Sequence, residues 1–220
     1  MASGTESRND ALSRERIVEA AIAILDNEGE GALTFRVLAA RLGTGSGAIF
    51  RHVADKSDLL AAATSQVIAH VTAEVGDADS RDAIRAIALG AFDAIDVHPW
   101  VGTQLSREPW QPAMGDIFES VGSRLHALGV PECAQFDAAS AIVNCVLAAA
   151  AQNTAAARFL APDADREAFL TAVSGGWMEA DPAKYPFVSR MRAKLRDHDD
   201  RQQYLAGVDL ILAGIATLTT

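Results

Sequence analysis

Apolar side chains recur at helical spacing along nearly the whole chain, and no stretch alternates apolar and polar residues for long enough to predict a strand. Ile17, Ala20, Ala21, Ile24 and Leu25 form a first stripe, which starts at Ser13 with Glu15 in its opening turn and stops at Gly29 and Gly31. Thr34 then caps a short helix that places Phe35, Leu38, Ala39 and Leu42 together, closed by Gly43. Gly45 and Gly47 follow at once, and a third short helix fits Ser46 to His52, with Ala48, Ile49 and Val53 apolar. Asp55 caps a fourth, with Asp58 in its first turn and Leu59, Leu60, Ala63, Val67 and Val71 along it.

A polar break from Gly76 to Ser80 separates this small unit from a larger one. Ile84, Ile87, Ala88, Ala91, Phe92 and Ile95 predict a helix ended by Pro99. His98 to Pro112 is rich in Pro and Trp and is not expected to form one continuous helix. Met114, Ile117, Phe118, Val121, Leu125 and Leu128 predict the next helix, closed by Gly129. Residues 135–157 are apolar nearly all round, which implies burial on several sides. Residues 163–185 are mixed, with Pro182 and Pro186 as breaks, and a last helix is predicted from Arg201 to Leu218. The fold class is therefore all-α.

Composition narrows the function. Half of the 220 residues are hydrophobic, enough for a sizeable core, and the formal net charge is −10. A chain this acidic does not coat nucleic acid over its whole surface, so DNA binding would need a local patch. Cys133 and Cys145 sit in apolar sequence, form no metal-spaced pair and are expected as core thiols. Met1 to Asp10 lacks the apolar core of a signal peptide, and Ala138 to Ala151, the longest apolar stretch, is too short to span a bilayer. A soluble, cytoplasmic protein is expected. The histidines His52, His70, His98, His126 and His198 form no zinc or nucleophile motif, and no phosphate loop follows a strand. No enzymatic activity, cofactor or metal site is expected.

Thr34 to His52 has the order helix, glycine turn, helix. In a helix-turn-helix the first helix crosses the DNA backbone and the second enters the major groove. Between Thr34 and Lys56 the cations Arg36, Arg41, Arg51 and Lys56 face Asp55 alone, a basic island in an acidic chain. Pattern and charge leave two readings open, a DNA-reading head or a small helical hairpin with a solvated face.

Arg14 to Ala63, RERIVEAAIAILDNEGEGALTFRVLAARLGTGSGAIFRHVADKSDLLAAA, resembles the N-terminal domain of TetR-type transcriptional regulators. An apolar helix ending in EG comes first, then LTxRxLAxRLG. A short helix ending in an aromatic, a variable residue and His follows, then a Lys that opens the next helix. The resemblance implies a three-helix helix-turn-helix domain at residues 13–60 after a disordered tail at 1–12, and a larger helical ligand-binding and dimerisation domain at 61–220. It implies that Thr34 approaches a phosphate, that Arg36 reaches a phosphate or the groove edge, and that Gly45, Ser46, Gly47 and Ala48 open the recognition helix toward base edges. For Gly45 and Gly47, turn geometry is an equal alternative. Phe50 stands where the family usually has Tyr, so a hydroxyl contact to phosphate is lost there. Arg51 can face groove or backbone, His52 bonds a phosphate or packs locally, and Lys56 is expected on a phosphate. With no Asn or Gln in this helix, specificity would lean on Arg36, Arg51, the Ala48 methyl and DNA shape.

The resemblance also implies a homodimer on a palindromic operator and a small-molecule cavity in the second unit. Residues 139–151 and the last helix, where Gly207 and Gly214 stand one heptad apart, are the expected dimer elements. Candidate cavity residues are Phe92, His98, Trp100, Trp110, Met114, Phe118, Asn144 and Trp177, with His98 and Asn144 as orienting polar groups and core packing as the alternative for each. A hydrophobic or aromatic effector would release the DNA through a hinge near residues 69–80. A regulator without an effector, or an activator, remains the alternative at this stage.

Overall fold

The computed structural model describes residues 12–73, 79–159, 181–196 and 199–219. Among the described residues there are ten helices and no strand. They are α1 (Arg14–Glu28), α2 (Phe35–Arg41), α3 (Ser46–Ile49), α4 (Lys56–Ala73), α5 (Ser80–Val97), α6 (Pro99–Arg107), α7 (Pro112–Ala127), α8 (Glu132–Phe159), α9 (Pro186–Arg196) and α10 (Asp200–Ala216).

The head is built from short, individually capped helices. Ser13 Oγ accepts from the Arg16 N–H at 3.3 Å, and Thr34 Oγ1 accepts from the Val37 N–H at 3.2 Å, so each satisfies an N–H that the helix itself leaves unpaired. Asp55 and Asp58 cap the start of α4 between them: Asp55 Oδ1 accepts from the Asp58 N–H and Asp58 Oδ2 from the Ala54 N–H, both at 2.9 Å. Gly43, at φ 63°, makes the left-handed turn between α2 and α3 that a side chain would strain. Ile17, Ile24, Leu33, Leu38 and Ile49 are fully buried and form the core of this unit. That core continues without a break into Ile84, Ile87, Leu105, Ile117 and Ile142 of the body.

Two elements, α3 and α8, differ from the sequence-based expectation in their bounds. α3 is four residues long rather than seven, because the N–H groups of Arg51 and His52 bond back three residues, to Ala48 O (3.4 Å) and Ile49 O (2.9 Å), and tighten the end into a turn. The segment from His98 to Pro112 forms no single continuous helix, as expected, but most of it is helical. Pro99 sits at the first position of α6, where a missing N–H costs nothing, and nine helical residues follow before Pro112 opens α7 in the same way. α8 starts at Glu132 and runs 28 residues. By length and composition Glu132–Gln152 could cross a membrane. Here Ala138, Ala139, Ile142, Val143, Val146, Ala149 and Ala150 are buried, and α8 packs on α5, α6, α7 and α10. Cys133, expected in the core, is exposed in the first turn of α8, while Cys145 is half-buried and its thiol pKa is pushed up by burial.

α4 is one continuous helix across residues 60 and 61, where the sequence placed the boundary between the two units. It packs against α1 of the head and against α5, α6 and α7 of the body.

Candidate nucleic-acid interface and the joint behind it

Both helices of the corner are set by apolar residues that face inward. Leu38 and Ala39 bury one side of α2 and Ile49 the matching side of α3. Phe35 and Phe50 lie 4.3 Å apart between ring centroids and clamp the corner from outside. Phe50 remains 51% exposed, so its ring offers an apolar surface where a tyrosine would offer a hydroxyl. Ser46 Oγ donates to Phe35 O at 3.4 Å, which orients it toward α2. Gly45 and Gly47 are exposed, and a Cβ at either would meet nothing within 4 Å. Their own surroundings therefore do not require glycine, and neither has a positive φ.

The four cations of the basic island divide. Arg36 and Arg51 are exposed and have no side-chain partner among the described residues. Arg41 lies 3.4 Å from Glu28, a long and exposed pair. Lys56, expected on a phosphate, donates to the Glu30 carbonyl at 2.9 Å and fastens the loop between α1 and α2. His52 is half-buried, and its carbonyl accepts from Arg14, whose guanidinium also donates to Asp58 at 2.7 Å. The Arg14 hydrogen bond, with the Ala54 N–H, holds the Asp58 carboxyl below its ordinary pKa.

Behind the corner, carboxylates of the head join the head to α6. Asp26 Oδ1 accepts from the Trp100 indole N–H at 2.7 Å and lies 2.7 Å from His98 Nδ1. The Glu30 carboxylate accepts from Arg107 at 2.8 Å and Gln104 at 3.2 Å. Ser57 Oγ donates to Glu108 at 3.3 Å. Sequence reasoning did not single out Arg14, Asp26 or Glu30. The partners of Asp26 and Glu30 lie more than seventy residues away, and no local spacing signals them.

The candidate cavity residues do not converge. Met114, Phe92 and Trp100 are buried in the core, Phe92 stacked on Tyr204 at 5.0 Å. The Tyr204 hydroxyl donates to Ala88 O at 3.0 Å, and burial pushes its pKa far up. Phe118 is half-buried against exposed Phe136. Trp110 stands 90% exposed in the turn between α6 and α7, not in a wall. Asn144 is exposed on α8, because Ile142, Val143 and Val146 take the inward positions. His98 and Trp100 meet at Asp26, and Trp177 lies outside the described residues. Among the described residues no group of three or more His, Cys, Asp or Glu side chains is placed to hold a metal.

A capped two-helix corner with free arginines on its outer side, carried by an all-helical body, defines a helix-turn-helix DNA-binding protein. The family model described as "Bacterial regulatory proteins, tetR family" matches residues 17–63. The solved structure of the transcriptional regulator SCO7222, a TetR from Streptomyces coelicolor, is 46% identical. It superposes with a TM-score of 0.86 over 96% of this chain and 100% of that one. The chain belongs to the TetR family of transcriptional regulators, and it is not an enzyme. The transcriptional repressor DrrR1 of Streptomyces coeruleorubidus is 33% identical over 55% of this chain and 46% of its own length. The match spans about half the length of such curated relatives. The S. coelicolor TetR-family protein ActR, solved in complex with actinorhodin, shares the fold with a TM-score of 0.76 at 21% identity, over 95% of this chain and 99% of that one.

Proposed function

We propose that the chain is a repressor which binds a palindromic operator as a homodimer in the cytoplasm and leaves it when a small hydrophobic or aromatic effector binds. The observation that carries the DNA reading is the pair Arg36 and Arg51, exposed and unpaired among the described residues on either side of the α2–α3 corner. Phosphate contacts of this kind position a head, and base edges are then read from the start of α3. Thr34, Gly45, Ser46, Gly47, Ala48, Phe50 and His52 complete the contact surface, with Lys56 bracing it from behind.

One corner alone binds weakly, and a two-fold pair spaced by a helical turn of DNA multiplies the contacts. The outer faces of α8 and α10 support such a pair. Leu210 is 76% exposed on α10, and Gly207 and Gly214 have open space where a partner helix would approach. DrrR1 is named a repressor, and ActR was solved with a small molecule bound; both support the same reading here.

Fluorescence anisotropy on the DNA upstream of the protein's own gene, against a scrambled duplex and across a salt series, tests it. A specificity ratio of about 10³ or more is the expected result. Equal affinity for both duplexes at every salt concentration would refute a sequence-specific regulator acting there.

A further inference from the structure

A groove of about 500 Å³ runs along the joint between head and body. Ile22 of α1 forms one side; Gln66, Val67, His70 and Val71 of α4 and Gly90, Asp93, Ala94, Val97 and His98 at the end of α5 form the rest. Its volume is that of a site for a drug-sized molecule. Its floor is tight: a Cβ on Gly90 would come within 2.8 Å of Val71 Cγ1, so α4 and α5 meet there at the distance only glycine permits. Val97, 68% exposed, leaves an apolar edge for an occupant to cover.

The polar groups of this groove are mostly acceptors. His70 Nδ1 lies 2.7 Å from the Gln66 carbonyl, so in a neutral imidazole the proton sits on Nδ1 and Nε2 carries the free lone pair. Asp93 adds a carboxylate, already held by Arg201 through two bonds of 2.7 and 2.8 Å. The Gln66 amide can serve either way. Among the described residues that line the groove there is no Lys or Arg, and the Arg201 guanidinium beside it is already engaged by Asp93, so these residues leave a ligand carboxylate or phosphate uncompensated. A flat apolar molecule bearing hydroxyl donors fits this set; an anion does not.

We propose that this groove binds uncharged, hydroxylated aromatic molecules, with His70 accepting from a ligand hydroxyl and Ile22, Ala94 and Val97 covering the ring. The proposal rests on the reading of the chain as an effector-released regulator, and it places the effector at the joint rather than inside the body. Its consequence for DNA follows from what the groove touches. His98, in its wall, is bonded to Asp26 of α1, and Ile22 lies on the same helix, so an occupant pushes directly on the first helix of the head. The ligand's preference for one head position is then the free energy that shifts DNA affinity.

Calorimetric titration of the full chain, without DNA, with dihydroxynaphthalene and its methylated counterpart dimethoxynaphthalene tests the site. The hydroxylated probe should bind about tenfold more tightly, the difference expected for one or two hydrogen bonds. His70→Leu, at an exposed position, should weaken the hydroxylated probe about fivefold and leave the methylated one unchanged. Ala94→Trp should fill the groove and abolish both. Equal affinity for the two probes, or undiminished binding to Ala94→Trp, would overturn the proposal, as would no binding of either probe. Operator anisotropy run in parallel separates the two readings. Operator discrimination with no probe binding removes the groove site and leaves the proposed repressor; probe binding that follows the expected pattern, with no operator discrimination, supports the groove site and removes the proposed operator upstream of the gene.

Discussion

The two sides of the head treat charge in opposite ways. On the outer side Arg36 and Arg51 have no side-chain partner among the described residues, and Arg41 has only a loose one. On the side facing the body, Arg14, Lys56, Asp26 and Glu30 are all bonded, several of them twice. Same-size charges thus do different work. Arg14 and Lys56 tie the head to itself, while Asp26 and Glu30 bind it to α6 and hold it in one orientation. Those outside are left for an anionic partner, and their contribution appears only when that partner and its counterions are present.

Removing the outer pair should give the largest effect. Arg36→Ala with Arg51→Ala is expected to lower DNA affinity by about thirty- to a hundredfold for native and scrambled duplexes alike, and to reduce the salt slope by about two. The melting temperature should stay where it was. A loss confined to the native duplex would show that one of the arginines reads a base instead.

Cutting the joint should have the reverse signature. Asp26→Ala leaves the buried Trp100 indole N–H without an acceptor and is expected to cost about 1–2 kcal/mol of stability, read by denaturant unfolding. DNA affinity should change less than in the arginine variant, and its salt slope not at all. An unchanged midpoint would mean that the contact with α6 contributes nothing to holding the head.

The smallest expected effect is acid sensitivity at the start of α4. The folded Asp58 carboxyl lies below its ordinary pKa, so its contribution is fully present above the unfolded value and is lost as pH falls through the folded one. Stability should therefore decline below about pH 4. In Asp58→Asn that part of the decline should be missing, which pH-dependent unfolding of the two proteins compares.

How much the sequence told depended on distance along the chain. The helix start at Ser13, the cap at Thr34, the Gly29 and Gly43 stops and the inward positions Ile17, Ile24 and Leu38 are local, and the structure has them within a residue of where they were read. The all-helical class and the family resemblance follow from the same local order. The early end of α3 was not legible, because three-residue bonds at a helix end leave no mark in composition. Pro99 ends α5 as read, and the helix that it then opens was not legible, since a proline that ends one helix can also open the next. Cavity residues were chosen by being aromatic, and aromaticity does not say which way a side chain faces. Trp110 turned out to stand in solvent and Phe92 in the core. The links from Asp26 and Glu30 to α6 join residues far apart in sequence, and only the folded chain brings them together.

α4 has no break where head and body meet. Its eighteen residues make a rod about 27 Å long at the ordinary rise per residue. A tilt of about five degrees at its body end therefore displaces its head end by roughly 2 Å. In a two-fold pair the displacement would be doubled, because the two rods move in opposite senses. A contact as small as one side chain wedged beside Val71 would thus be enlarged, by leverage alone, to a misfit comparable with a hydrogen-bond length at the DNA.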